Sequence, residues 1–344
     1  NSTGGVINLI TKKKEAQIKI NPYNESIGIE KLNINLNKNN NTNHLNFNFG
    51  NYKFNGFSED ESYRSKEWNP KKQNFGEIGW STYIKKNELK FKSSFFNEKI
   101  IDLGNENFPP FNGTAIDNHY STYRNTNYLK INRSDESYVP NGMVAYSITK
   151  FVKKQYNIDL TSNESIQTNS PDYNGEDIFK SVYSRWEYNN LDWKKHQIQF
   201  GLDFNYQNVN GDKIENKSAK IHEYSIFSQL NFTINKKLNT LIGIRLPYHS
   251  IYTAPITPSI HIKYSLNNSI NFRSSYARGF RAPSIKELFM EFVDSNHEIY
   301  GNEELKSERS HSFQSSLDLS PLKMENKFIS ISIEGFINYL NNKI

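Results

Sequence analysis

The chain is 344 residues long, with 42 Lys and Arg against 36 Asp and Glu, a formal net charge of +6 and no cysteine. Lack of cysteine excludes disulfides, thiolate metal sites and cysteine nucleophiles, and lysines scattered through turns among Asp and Glu argue against a nucleic-acid surface. Only 35% of residues are hydrophobic, a level that suits disorder, yet 21 Tyr and 23 Phe recur along the whole length at every second position, which is a sheet signature.

No apolar run approaches the ~20 residues of a transmembrane helix, so contact with a membrane requires a closed β-barrel. The chain opens on Asn1 without a signal stretch, and is expected to be an internal piece of a longer protein, truncated at both ends. Its first residues, "NSTGGVINLITKK", place Gly4 and Gly5 before a short apolar run, Val6, Ile7, Asn8 and onward to Ile10, and then a basic stop. A first strand is expected near Gln17 to Pro22, followed by "LNINL" and "LNFNF".

Further along, "HQIQFGLDFNYQ" sets Ile198, Phe200, Leu202, Phe204 and Tyr206 on one face and Gln197, Gln199, Asp203, Asn205 and Gln207 on the other. "YSIFSQLNFTI", "NTLIGIRL", "SIHIKYSL", "SINFRSSY" and "FISISIEGF" repeat the period. Several runs reach the roughly 9 to 11 residues of a tilted membrane strand. Short turns are expected at 38–43, 85–87, 153–155, 192–195, 235–237 and 266–268, alternating with longer connections at 52–73, 99–141, 165–178, 208–221, 248–255 and 280–309. This alternation, with about fifteen strands, predicts an all-β, antiparallel transmembrane barrel with long loops at one end, since a sandwich or propeller has no reason to sort its loops by side. The face opposite the aromatics is Asn, Gln, Ser, Arg, Glu and Asp, which predicts a wet interior. Trp80, Trp186 and Trp193 fall near strand ends or on the apolar set, as an aromatic girdle or ordinary cross-strand packing requires.

The stretch "YARGFRAPSIKELF" and, after it, "GNEELKSERS" complete the pattern. Together with "GGVINLITKK" near the start, they resemble the TonB-dependent outer-membrane receptor family. The matching positions are a plug-closing segment (Gly4, Gly5, Val6, Ile7, Asn8), a Gly-Phe-Arg-Ala-Pro box (Gly279, Phe280, Arg281, Ala282, Pro283) and a Gly-Asn-Pro-x-Leu-x-x-Glu box (Gly301, Asn302, Leu305, Glu308). Glu303 departs from the proline usual in the second box. The resemblance implies that residues 1–13 end a plug domain and that 14–344 form part of a barrel of the roughly 22-stranded type. It further implies active uptake of a bulky, scarce ligand, with TonB, outer-membrane lipid, a small-molecule metal chelate and a surface lipoprotein as partners. A passive porin would share the barrel without the plug, and a soluble adhesin would share the alternation without sorted loops.

Within the loop 280–309, proline is expected to fix the corner and "PSIKELFMEF" to form one or two helical turns, with Ser284 and Glu287 at capping-box spacing. In the haem-uptake branch of the family that the sequence resembles, a histidine between the two boxes ligates haem iron. His297 holds that place and, with Arg281 and Asn302, is the candidate ligand-binding set. Ferric siderophore, haem and cobalamin all remain open as cargo, with no resident cofactor and no enzymatic constellation expected. "SPDYNGEDIF" gathers Asp172, Asn174, Glu176 and Asp177 around Gly175 but lacks EF-hand spacing, and reads as a solvated acidic loop. "NST", "NGT" and "NES" are glycosylation sequons expected by chance in an Asn-rich chain. Asp203, Arg245 and Arg273 are expected to line the barrel and touch the plug.

Overall fold

The computed structural model describes residues 17–40, 42–85, 87–108, 113–133, 140–170, 173–193, 196–293, 298–324 and 327–344. The expected plug-closing segment, Asp172 and His297 lie outside the described residues. The period-two sequence forms β1 (Gln17–Glu25), β2 (Ile29–Asn39), β3 (Asn43–Phe54), β4 (Lys71–Ile84), β5 (Asn87–Asp102), β6 (Thr114–Arg133), β7 (Asn141–Asp159) and the short β8 (Ser165–Gln167). These are followed by β9 (Gly175–Trp193), β10 (His196–Gly211), β11 (Ser218–Thr233), β12 (Leu238–His249), β13 (Thr257–Asn267) and β14 (Ile270–Arg281). A helix α1 (Ile285–Phe289) and the small strands β15 (Glu291–Val293) and β16 (Glu298–Tyr300) precede β17 (Glu308–Met324) and β18 (Lys327–Asn341).

Every strand but β15 and β16 belongs to one antiparallel sheet of 16 strands, in which each strand pairs with the next along the chain and β8 sits beside β7. The path ends at β1 and β18, each hydrogen-bonded on one side only, so among the described residues the barrel is not closed. Connections sort by end from β3 onward: 55–70, 103–113, 160–174, 212–217, 250–256 and 282–307 at one, and turns such as 85–86, 234–237 and 268–269 at the other. The first hairpin is the exception, with a tight turn at 26–28 that uses Gly28 at φ 88° on the long-loop end.

Two expectations are corrected. The expected connection 99–141 contains β6, and the expected turn at 153–155 lies inside β7; the strand count survives because the two errors offset. β6 carries Asn125 and Asn127 in line with the apolar rows of its neighbours, so its alternation is faint, and it is a strand because β5 and β7 supply both hydrogen-bond ladders. Within β7 the Lys153 ammonium lies over the Tyr120 and Tyr173 rings (5.7 and 4.9 Å), and Gln155 is buried and bonded to Asn118 (3.2 Å), so three polar residues continue the strand.

Register builds two unlike faces. Ser184, Phe204, Tyr224 and Tyr248 form one cross-strand row, and Trp186, Leu202, Ile226 and Leu246 form the next. This apolar face is open, with Leu202 52% and Ile226 56% exposed. Trp186 and Trp80 both belong to it; the Trp186 ring lies over Gly142, where a Cβ would come within 2.3 Å. Arg185, Asp203 and Ser225 form a row of the opposite, polar face, where Glu77 and Lys92 pair at 2.5 Å.

Candidate functional site at the long-loop end

The Gly-Phe-Arg-Ala-Pro corner ends β14 and turns the chain into α1. Ser284 caps that helix: its hydroxyl accepts from the Glu287 N–H (3.3 Å) while the Glu287 carboxylate accepts from the Ser284 N–H (2.7 Å), completing the expected capping box. Arg281 donates to Glu287 (2.6 Å) and lies 3.5 Å from Glu308, so one guanidinium joins the two ends of the loop 282–307. Burial alone would raise the Glu287 carboxyl, but the Ser284 N–H and the Arg281 guanidinium outweigh it and hold the group below its ordinary value.

The helix docks on the sheet through Ile285 and Leu288, which join Val209, Ile214, Ala219 and Ile221 in a buried cluster. By register Val209, Ala219 and Ile221 continue the polar face, being two-residue steps from Gln207, Glu223 and Asn205. The loop therefore packs against the interior-facing side of the sheet. Tyr252 of the neighbouring connection donates to the Leu305 carbonyl (2.8 Å), and Ile214 bridges Met290. Gly301 passes so close to α1 that a Cβ would meet the Leu288 carbonyl at 2.5 Å, which accounts for glycine in the second box. The Asn302 N–H bonds the Glu287 carbonyl (2.9 Å) and its side chain accepts from the Glu304 N–H (2.8 Å). Arg281, Asn302, Leu305 and Glu308 thus come together as the framework of this loop.

Against the same wall lies a polar cavity of about 340 Å³ whose lining includes Arg185, Asp203, Glu223, Arg245, His249 and Phe280. Asp203 is buried and lies 2.7 Å from Arg245 and 3.5 Å from Arg185, while both arginines keep 40% of their side chains exposed. Thr257, also on this cavity, is buried with a hydroxyl that has no hydrogen-bond partner among the described residues. Arg273 stands on the same polar face, farther along the sheet, where it lines a second cavity with Asp318, 3.7 Å away.

The "SPDYNGEDIF" loop is organised by Asn174, whose amide donates to Thr168 and Ser170 and whose carbonyl accepts from Gln155 and Gln167. Glu176 pairs with Lys150 (2.6 Å) and Asp177 accepts from the Lys213 N–H (3.2 Å), so these side chains serve loop structure. Sequence reading missed the contact of Arg64 with Asp117. The guanidinium grips both carboxylate oxygens and also donates to the Gly104 carbonyl (3.2 Å), tying connections 55–70 and 103–113 to β6. With the partners 53 positions apart in sequence, no local signal marks it.

A mutant of the ferric enterobactin receptor PfeA from Pseudomonas aeruginosa superposes with a TM-score of 0.65 at 16% identity, covering 99% of this chain and 55% of that one. The siderophore receptor PirA from Acinetobacter baumannii gives 0.61 at 11% identity, covering 97% and 54%. The copper transporter OprC gives 0.58 at 12% identity, covering 96% and 54%. The chain therefore spans about half the length of these structures, and at such identities the likeness is one of fold. No curated protein matches the sequence. The family description "TonB dependent receptor-like, beta-barrel" matches residues 21–344, nearly the whole strand path described above, and the chain belongs to that family.

Proposed function

We propose that the chain forms most of the barrel wall of a Gram-negative outer-membrane transporter that captures a bulky metal chelate and admits it under the pull of TonB. The observation that carries this reading is the docking of loop 282–307 on the polar face, above a cavity holding two half-open arginines. A loop so placed roofs a hydrated passage, and its pinned base holds recognition groups on a rigid support. An outer membrane lacks ATP, so transport against a gradient draws energy from the inner membrane, which TonB supplies in this family.

A ferric siderophore is the preferred cargo. Arg185 and Arg245 suit an anionic chelate, and two of the structural neighbours are named as siderophore or enterobactin receptors. Haem is the second reading, carried by the position of His297 between the two boxes.

The test is titration of the full-length protein in detergent with a ferric catecholate and with haem. Arg245→Ala is expected to weaken catecholate binding about tenfold, about 1.4 kcal/mol, with His297→Ala unchanged. A Soret shift that weakens about tenfold in His297→Ala would move the assignment to haem. Binding of neither ligand sinks both readings.

A further inference from the structure

The apolar face does not end evenly. On β9, β10 and β11 its outward rows run through Trp186, Leu202 and Ile226, then Ser184, Phe204 and Tyr224, then Val182, Tyr206 and His222. One step nearer the long loops the row becomes Lys180, Asn208 and Lys220, directly cross-strand from one another. The two lysines flank one intervening strand, so their backbones stand about 9.5 Å apart. Both are exposed, and among the described residues neither has an ion-pair or hydrogen-bond partner. Lys150, on the next strand, differs: its charge is taken by Glu176 at 2.6 Å.

Below the lysine row lies an apolar groove of about 480 Å³, lined by Trp186, Leu202, Phe204, Tyr224, Ile226 and Leu246. The groove begins four residues along the strand from each lysine, about 13 Å. An amphiphile with a phosphate at one end and an acyl chain at the other matches that spacing. The lysine stems would reach along the aromatic row, and the ammonium groups would close on the phosphate.

We propose that Lys180, Asn208 and Lys220 form a headgroup clamp for a phosphate-bearing anionic membrane lipid, one of whose acyl chains occupies the groove beside Trp186. Two free cations with no facing anion select a net negative headgroup over a zwitterionic one. The ring side chains Tyr206 and His222, with Tyr224 one row below them, mark the depth at which headgroup gives way to chain. The proposal rests on the reading of the apolar face as lipid-facing.

The experiment uses the full-length protein carrying Trp186 as its sole tryptophan, in vesicles of phosphatidylcholine in which either the phosphatidylcholine or an added phosphatidylglycerol is brominated. Phosphatidylglycerol is expected to quench Trp186 out of proportion to its share. That preference should fall about fivefold for each of Lys180→Gln and Lys220→Gln, and persist in the Lys180→Arg, Lys220→Arg double variant. Lys237→Gln, at the short-turn end, serves as the control. Equal quenching by both lipids, or a preference that survives the glutamine variants, would overturn the clamp while leaving the lipid-facing wall intact. Absence of quenching by either lipid would overturn the lipid-facing reading itself, and the clamp with it.

Discussion

The two ends of the sheet are built by different means. At the short-turn end, exposed asparagines close the reversals: Asn40 accepts from the Asn43 N–H (2.6 Å), Asn235 from Lys237 and Leu238 (2.8 and 3.0 Å) and Asn267 from Ser269 (2.8 Å). Each is a local device, complete within four residues. At the long-loop end the order comes from distant partners. A buried carboxylate, Asp117, holds two connections through Arg64, and an apolar cluster assembled from β10, β11, the 212–217 connection and α1 seats the longest loop. A chain whose strands are wet on one face and open on the other has few places to bury apolar groups; here the cluster under the roof loop is one of them. The cost of ordering loops is met where loops are used.

The contrast breaks most clearly at Leu288, which is 1% exposed. Leu288→Ala is expected to destabilise loop docking by about 3 kcal/mol, leaving a cavity that rigid strands cannot fill. Hydrogen exchange should accelerate in α1 and around Gly301 while β12 and β13 stay protected; uniform acceleration across the sheet would contradict a separately seated loop.

Next in size is Asp117→Ala. Because Arg64 keeps a partial path to water, we expect about 2 kcal/mol, less than the ~3–5 kcal/mol of a wholly buried pair. Limited proteolysis should then cut connection 55–70 first, and Arg64→Ala added to it should cost little more.

Ser284→Ala removes one side of the capping box and is expected to cost about 1 kcal/mol of the helix alone. Acid should act at the same place. Glu287 is held below its ordinary value of 4.5, so its contribution is fully present above that pH and is lost as pH falls through its lower folded value. Protection of the Ser284 amide relative to its intrinsic exchange rate, measured downward from pH 5, should fall in wild type and be flat in Glu287→Gln.

The smallest effect is expected at the opposite end: Asn235→Ala should change stability by no more than about 0.5 kcal/mol. A larger loss there would mean that the short turns also carry tertiary load.

Much of this was legible from residues alone where the signal was local. Strands with clean alternation, such as β10 to β12, were read within a few residues, and the Ser284 to Glu287 spacing announced its helix. β6 was missed because Asn125 and Asn127 interrupt its apolar face, and β7 was broken at Lys153 because a basic pair looks like a turn until Tyr120 and Tyr173 are seen beside it. Arg281 is engaged by Glu287 and Glu308, one near in sequence and one far, and only the near partner is within reach of a local reading. Trp186 was placed on the apolar set correctly, but the groove beside it needed four strands in register.

By itself the sequence determined the period of the strands, the sorting of loops and the cap of α1, since backbone pleat and helix ends are read within a few neighbouring residues. Only the tertiary structure decided that loop 282–307 folds over the polar face, that Asp117 binds connection 55–70, and that Lys180 and Lys220 stand on one row. Those depend on which strands meet and at what register, and register is a property of paired chains that no single stretch contains.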